Sequence, residues 1–371
     1  MKKSRIGVLT GGGDCAGLNP ALKWVVKTAT DERLIKERGI QYEVLGIHDG
    51  WLGLFNVNPA KWENGTDIVR LNDDIVRTWD RYGGTMLGTT RFSPYDPKND
   101  VSKKIISNIK KMELETIIVL GGDGTLSAAA HLYKDGVNIV GIPKTIDKDL
   151  PETDYTLGFE SALNVIVEEV DRLRTTAGSH KRIFVVEIMG RNAGWLALEG
   201  GEACGAYIIL IPEYDFSYDR INELVLEGKK SGRRYEIIVV AEGAKPAGGK
   251  QILKDKTTDS FGRATLGGIG EVIAAKIEKG TGVETRSVEL SHLQRGGAPC
   301  AYDRRIGRHF GIAAVDLVVN NLYGNMVCLK NGKIGCVPLT SIFGKTNLVD
   351  PKTYYDADRY NGRRTILSSG K

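Results

Sequence analysis

No segment of this 371-residue chain is apolar over the ~20 residues that a membrane-spanning helix needs, and no secretory-type apolar core follows its start. The expectation is a cytoplasmic protein without a membrane partner. Cysteine is scarce: Cys15, Cys204, Cys300, Cys328 and Cys336 are scattered without metal-ligand spacing, which disfavours a zinc module or disulfide framework and fits reduced thiols. Aromatic residues make up 7%, and 51 Lys and Arg against 46 Asp and Glu leave a formal charge of only +5 with no long basic run, so nucleic acid has no footprint here. The small cationic surplus suits phosphorylated small molecules better. No low-complexity linker interrupts the chain. Glycine is plentiful at 46 residues, and the length suffices for two domains with sizeable cores.

The glycines matter most where they follow apolar runs. Thr116-Ile-Ile-Val-Leu120 reads as a strand, Gly121-Gly122-Asp123-Gly124-Thr125 as a turn, and Leu126-Ser-Ala-Ala-Ala130 as the start of a helix. Glycines let the backbone approach a phosphate, helix-start N–H groups bind its oxygens, and a carboxylate in the turn can hold Mg²⁺. Alone, such a turn is also a simple strand-to-helix connection. A second turn of this kind, Gly11-Gly12-Gly13-Asp14, follows the strand-like Arg5–Thr10 and precedes helical apolar spacing at Leu22, Val25 and Val26. Neither turn continues into Gly-Lys-Ser/Thr, and neither has the GxGxxG spacing of dinucleotide folds, which disfavours a hydride-transferring enzyme.

The third segment, Pro143-Lys144-Thr145-Ile146-Asp147-Lys148-Asp149-Leu150, follows the strand-like Asn138–Ile142. Ligands of open parallel sheets bind at strand C-termini, so Asp147 and Asp149 are expected to face the crevice that holds Asp123. One Asp can accept a proton from an attacking hydroxyl while the other organises metal-bound phosphate. An isolated Asp-x-Asp reads equally as a polar turn of solvated acids. Strand-like runs at Thr116–Gly121, Asn138–Ile142, Arg182–Ile188, Ala206–Ile211, Glu236–Ala241 and Arg286–Leu290 alternate with helical ones, including about Ser161–Ala177, and predict parallel sheets covered by helices.

With Gly83–Arg91, Asp154–Phe159, Val186–Arg191, Ala241-Glu242-Gly243, Glu284-Thr285-Arg286 and His292–Gly297 added, the chain resembles the 6-phosphofructokinases of the large bacterial-type family over nearly its whole length. Spacing and tail are most similar to the branch containing both ATP-using and pyrophosphate-using members. The resemblance implies an α/β fold of two similar doubly wound, Rossmann-like domains with the active site in the cleft between them. Residues 1–158 and 294–345 would bind ATP and Mg²⁺, and residues 159–293 with the tail 346–371 the sugar phosphate. It implies phosphoryl transfer from ATP to the 1-hydroxyl of fructose 6-phosphate, giving the glycolytic product fructose 1,6-bisphosphate.

Roles follow from the same resemblance. Asp147 corresponds to the catalytic base, Arg191 to the arginine that stabilises the transferring phosphoryl charge, and Thr145 and Gly12 to groups beside them. Met189, Gly190, Arg191 and Glu242 correspond to sugar contacts, Arg295 and His292 to ligands of the 6-phosphate, and Arg182 and Arg286 to a pair lent by a neighbouring subunit. That sharing implies a homodimer or homotetramer. Gly12, Arg91, Phe92, Gly122, Asp123, Gly124 and Thr125 match nucleotide-contacting positions, Asp123 the Mg²⁺ carboxylate, and Asp149 a second candidate for the metal. Ser291 and Ala16 depart from the family's usual Gly and Pro.

Donor choice turns on Gly124 and Lys144. Pyrophosphate-using relatives carry Asp where Gly124 stands, which fills the space of a nucleotide's α-phosphate; Lys144 matches a lysine those relatives use to hold the small donor. A clash excludes ATP outright whereas a lysine can coexist with it, so ATP is the expected donor and pyrophosphate the alternative. NAD and lipid kinases share the GGDGT turn but would not carry Pro143–Leu150 together with His292–Gly297, and a non-catalytic sensor would be expected to have lost Asp123 or Asp147. Lys23, Lys27 and Arg174 fall where allosteric relatives bind effectors, with weak or no regulation expected. The tail from Leu348 carries no motif.

Overall fold

The computed structural model of the protein describes residues 2–258, 264–365 and 367; residue 1, residues 259–263 of the second expected domain and tail positions 366 and 368–371 lie outside the described residues. The chain forms two compact units. One comprises Met1–Ile146, Leu150–Ser161 and Arg295–Lys345, the other Asp147–Asp149, Ala162–Gln294 and Thr346–Lys371. In place of an unbroken 1–158, the segment Asp147–Asp149 groups with the second unit, because its carbonyls are bonded by Asn347 of the tail.

The first unit is built on a seven-stranded sheet in the order Lys333–Pro338, Asn325–Lys330, Ile139–Pro143, Leu114–Gly121, Lys2–Thr10, Ile40–Ile47, Ile68–Leu71. The five inner strands pair in parallel and both edge strands antiparallel. Helices on the faces bury the inner strands on both sides, which explains why Ile139–Pro143 is an unbroken buried run rather than an alternating one. From Lys2–Thr10 the chain first adds Ile40–Ile47 on one side and later Leu114–Gly121 on the other. The order therefore reverses between the strands that end at Thr10 and Gly121, the place where open α/β sheets bind ligands.

The second unit has a four-stranded parallel sheet in the order Thr285–Glu289, Ile183–Ile188, Glu236–Ala241, Ile208–Leu210. Ile183–Ile188 and Glu236–Ala241 are buried throughout. The tail closes the sheet's edge: the Ile209 N–H donates to the Tyr360 carbonyl at 2.7 Å, and the Tyr355 hydroxyl to the Ile209 carbonyl at 2.6 Å. The 22-residue helix Phe159–His180 begins in the first unit, where the fully buried Asp303 accepts hydrogen bonds from the N–H groups of Gly158 (2.7 Å) and Ser161 (2.9 Å) and from the Tyr155 hydroxyl (2.8 Å). All five cysteines are free, and no helix among the described residues is long and apolar enough to cross a membrane.

Candidate active site

In the first unit both glycine turns and Lys144 converge at the sheet's reversal point. The Gly11 N–H donates to the Leu120 carbonyl at 3.0 Å, joining the first turn to the strand that leads into the second. Thr125, in the first turn of the helix Asp123–Lys134, packs so closely that a Cβ on Gly11 would stand 2.6 Å from its Cγ2 and one on Gly121 2.4 Å from its Cβ. Only glycine permits this approach. Gly12 has φ +81°, a left-handed backbone that favours glycine, and is held by its N–H to the Thr90 carbonyl (2.9 Å) and by Thr89 Oγ1 to its own carbonyl (2.8 Å). Those bonds tie the segment carrying Arg91 to the first glycine turn. Arg91 is exposed, and the Phe92 ring meets Phe55 at 5.5 Å, tilted by 37°.

The helix Asp123–Lys134 starts at Gly122 with no side chain capping it, so N–H groups at its start are a phosphate-compatible cradle. Asp123 and Gly124 are half-buried in its first turn. Lys144 is buried, and its ammonium donates to the Gly13 carbonyl. A Cβ on Gly12 would lie 3.7 Å from that nitrogen, so the cation sits inside the first glycine turn. Thr145 is also buried, its carbonyl accepting Thr156 Oγ1 at 2.6 Å. Arg295 joins this unit: its guanidinium donates to the Asp14 carbonyl at 3.0 Å and packs over Gly13. The resemblance groups Arg295 with His292, but His292 belongs to the second unit, where it is exposed and its Nδ1 lies 3.1 Å from Ser291 Oγ.

In the second unit the expected sugar-binding residues follow two adjacent parallel strands, Ile183–Ile188 and Glu236–Ala241. Gly190 (φ +139°) and Arg191 (φ +55°) form a sharp turn closed by the Ala193 N–H on the Gly190 carbonyl at 3.0 Å. The Arg191 N–H donates to Glu242 Oε1 at 2.9 Å, and the Glu242 N–H to the Ile188 carbonyl at 2.8 Å. Burial pushes the Glu242 carboxyl up to about 7; the Asp147 carboxylate adds to the rise, and the hydrogen bond and charge of Arg191 oppose it. Asp147 itself is buried. Arg182 and Arg286 are brought together by Glu284, whose two oxygens lie 2.8 and 2.6 Å from them.

Three residues without an assigned role complete this part of the site. Buried Gln294 accepts the Met189 N–H at 3.3 Å and donates to the Ser291 carbonyl at 3.1 Å. Gly243 leaves room for the Arg191 carbonyl, which a Cβ would meet at 1.9 Å. Asn347 bonds the loop after Asp147. Gln294 and Gly243 lie inside the motifs His292–Gly297 and Ala241–Gly243 and were within reach of the sequence; Asn347 has no local signal.

Among the described residues, no three His, Cys, Asp or Glu side chains gather as a metal cage. A half-buried Asp123 beside an uncapped helix start nevertheless fits Mg²⁺, which is commonly held by one or two carboxylates together with substrate phosphates and water.

A sheet with parallel inner strands and two glycine turns meeting at its reversal point is the architecture of phosphate-binding α/β proteins. Residues 5–318 match the family described as Phosphofructokinase, and the chain belongs to that family. It is 44% identical over 357 residues to the pyrophosphate–fructose 6-phosphate 1-phosphotransferase of Dictyoglomus thermophilum, covering 95% of this chain and 97% of that protein. It is 42% identical over 357 residues to the ATP-dependent 6-phosphofructokinase of Chloroflexus aurantiacus, covering 94% of each. Among solved structures, phosphofructokinase from Saccharomyces cerevisiae superposes with a TM-score of 0.76 at 29% identity over 91% of this chain, which spans 45% of that one. The pyrophosphate-dependent phosphofructokinase of Marinobacter aquaeolei shares the fold, with a TM-score of 0.80 at 20% identity, covering 98% of this chain and 89% of that one.

Proposed function

We propose that the protein transfers the terminal phosphoryl group of ATP to the 1-hydroxyl of fructose 6-phosphate, giving fructose 1,6-bisphosphate in glycolysis. The observation that carries this reading is the meeting of both glycine turns with Thr125 at the reversal point of the first sheet, in a chain that belongs to the phosphofructokinase family.

Phosphoryl transfer asks a protein mainly to position its reactants and to neutralise charge. In this reading Gly12, Gly122, Gly124, Thr125, Arg91 and Phe92 receive the nucleotide, with N–H groups at the uncapped start of the helix Asp123–Lys134 on its phosphate oxygens. Mg²⁺, held with Asp123, supplies charge neutralisation on the donor when bound. Asp147 accepts the proton of the sugar 1-hydroxyl, a role usually worth about 10²–10⁴ in rate. Arg191 and Thr145 address the charge of the transferring group. Met189, Gly190 and Glu242 grip the sugar, and a Glu242 carboxyl titrating at about 7 can donate to a hydroxyl as well as accept from one near neutral pH.

The sugar 6-phosphate carries close to two charges and calls for several cationic donors, for which arginine's planar fork is well suited. His292, Arg295, Arg182 and Arg286 fill that role, the last two reaching the phosphate of a neighbouring subunit in a homodimer or homotetramer. Their pairing through Glu284 supports a joint action.

Pyrophosphate is the competing donor, and the buried Lys144 ammonium inside the first glycine turn is the observation that favours it. Gly124 weighs the other way: a side chain-free position in the first helical turn leaves room for a nucleotide. Steady-state turnover of fructose 6-phosphate with ATP and, separately, with pyrophosphate tests the reading. A higher kcat/KM with ATP supports it; a higher one with pyrophosphate overturns the donor, and no turnover with either overturns the activity.

A further inference from the structure

The segment from Thr346 onward carries no motif, yet in the second unit it is bonded to the loop that bears Asp147. Asn347 makes two hydrogen bonds to that loop and one to Trp195. Its Nδ2 donates to the Lys148 carbonyl at 2.8 Å, its N–H to the Asp149 carbonyl at 2.8 Å, and its own carbonyl accepts Trp195 Nε1 at 2.9 Å. Two residues on, the Val349 N–H donates to Glu213 Oε1 at 2.9 Å, and the same oxygen accepts the Gly194 N–H at 2.9 Å. The tail is thus pinned to the start of the helix Trp195–Ala203.

Lys148 is held from the same helix. Its ammonium lies 4.8 Å from the Trp195 ring centroid and 2.7 Å from Glu199, while Trp195 also meets Tyr354 of the tail edge-on at 5.5 Å. Lys148 has φ +54°, a left-handed conformation that a residue with a side chain keeps only where its surroundings hold it. Both carbonyls that follow Asp147 are therefore fixed by one side chain and one N–H of Asn347. The tail's attachment to the sheet edge runs separately through Tyr355 and Tyr360.

The geometry points to Asn347 as a positioning residue for phosphoryl transfer: it clamps the Asp147–Asp149 loop so that the Asp147 carboxylate stands where the sugar hydroxyl must deliver its proton. This inference rests on the assignment of Asp147 as base. Misplacement of a reacting group by about 1 Å can cost 10²-fold in rate, so loss of the clamp should act on turnover more than on substrate affinity.

The test is a double-mutant cycle on the full chain, with kcat and KM for fructose 6-phosphate measured using whichever donor the wild type uses better. Asn347→Leu removes the Nδ2 donor at similar volume; it should lower kcat roughly tenfold or more while changing KM by less than about threefold. In an Asp147→Asn background the same substitution should lower the residual rate no further, an outcome that a merely structural role would not produce. Trp195→Phe, which removes the bond to the Asn347 carbonyl and leaves a smaller ring against Lys148 and Tyr354, should repeat the pattern more weakly, and it carries the cycle if Asn347→Leu does not fold. A kcat equal to wild type, or an equal loss in both backgrounds, overturns the clamp while leaving Asp147 as base. An Asp147→Asn protein with wild-type kcat overturns the base assignment and the clamp with it.

Discussion

The Arg191 N–H donates to Glu242 Oε1 at 2.9 Å, joining the ends of two adjacent parallel strands of the second unit. This bond fixes the Gly190–Arg191 turn, whose φ angles of +139° and +55° would otherwise be disfavoured for the second residue. It also couples the sugar-binding reading to the state of one carboxyl.

That coupling sets a pH dependence. Glu242 titrates at about 7 in the folded protein against an ordinary 4.5, so the folded state binds its proton more tightly than the unfolded state does. The stabilisation is fully present below about pH 4.5 and is lost as pH rises through about 7. Glu242→Gln should therefore flatten the fall in Tm between those two pH values relative to wild type, and thermal melts across that window check it. An unchanged slope would place the titration elsewhere.

The Arg191 carbonyl lies 1.9 Å from where a Cβ of residue 243 would stand. Gly243→Ala must displace that turn, and overpacking of this kind costs about 1–3 kcal/mol. A Tm lowered by several degrees together with a raised KM for fructose 6-phosphate is expected, measured by melting and steady-state kinetics.

Asp147→Ser should leave fructose 6-phosphate binding within a few fold while lowering kcat by at least about 10². Calorimetric binding beside turnover separates the two quantities. Loss of affinity with kcat intact would remove Asp147 from the role of base.

Strands ending in motifs were legible because continuous apolar runs announce burial on both faces: Ile139–Pro143, Ile183–Ile188 and Glu236–Ala241 are buried at every position. Ile40–Ile47 is less legible, since Gln41 and Glu43 break its apolar run. The edge strand Lys333–Pro338 is almost wholly exposed and becomes a strand through its pairing with Asn325–Lys330. The glycine turns were legible as phosphate-compatible; that Thr125 and Lys144 close on them depends on packing. Asn347 illustrates the limit, for its bond to the Lys148 carbonyl spans 199 residues and a side chain-to-backbone contact at that range leaves no periodicity or spacing to read.

Arg182 and Arg286 share Glu284, and both are proposed to serve a neighbour's sugar phosphate. Arg286→Ser should raise KM for fructose 6-phosphate by about tenfold or more, since it removes a charge-assisted contact. Mixed with Asp147→Ser chains it should regain activity in hybrids, where some interfaces assemble one intact site. Hybrids that form, as judged by native mass spectrometry, and stay inactive would contradict a shared site.

Donor choice is tested most directly by kcat/KM of the wild-type protein for ATP and for pyrophosphate, each at saturating fructose 6-phosphate. Gly124 is expected to make ATP the better donor by a wide margin, and Gly124→Asp to reverse that order by setting a carboxylate against the α-phosphate, while pyrophosphate ends short of that space. A wild-type protein with the higher kcat/KM for pyrophosphate would contradict the account and assign donor choice to Lys144.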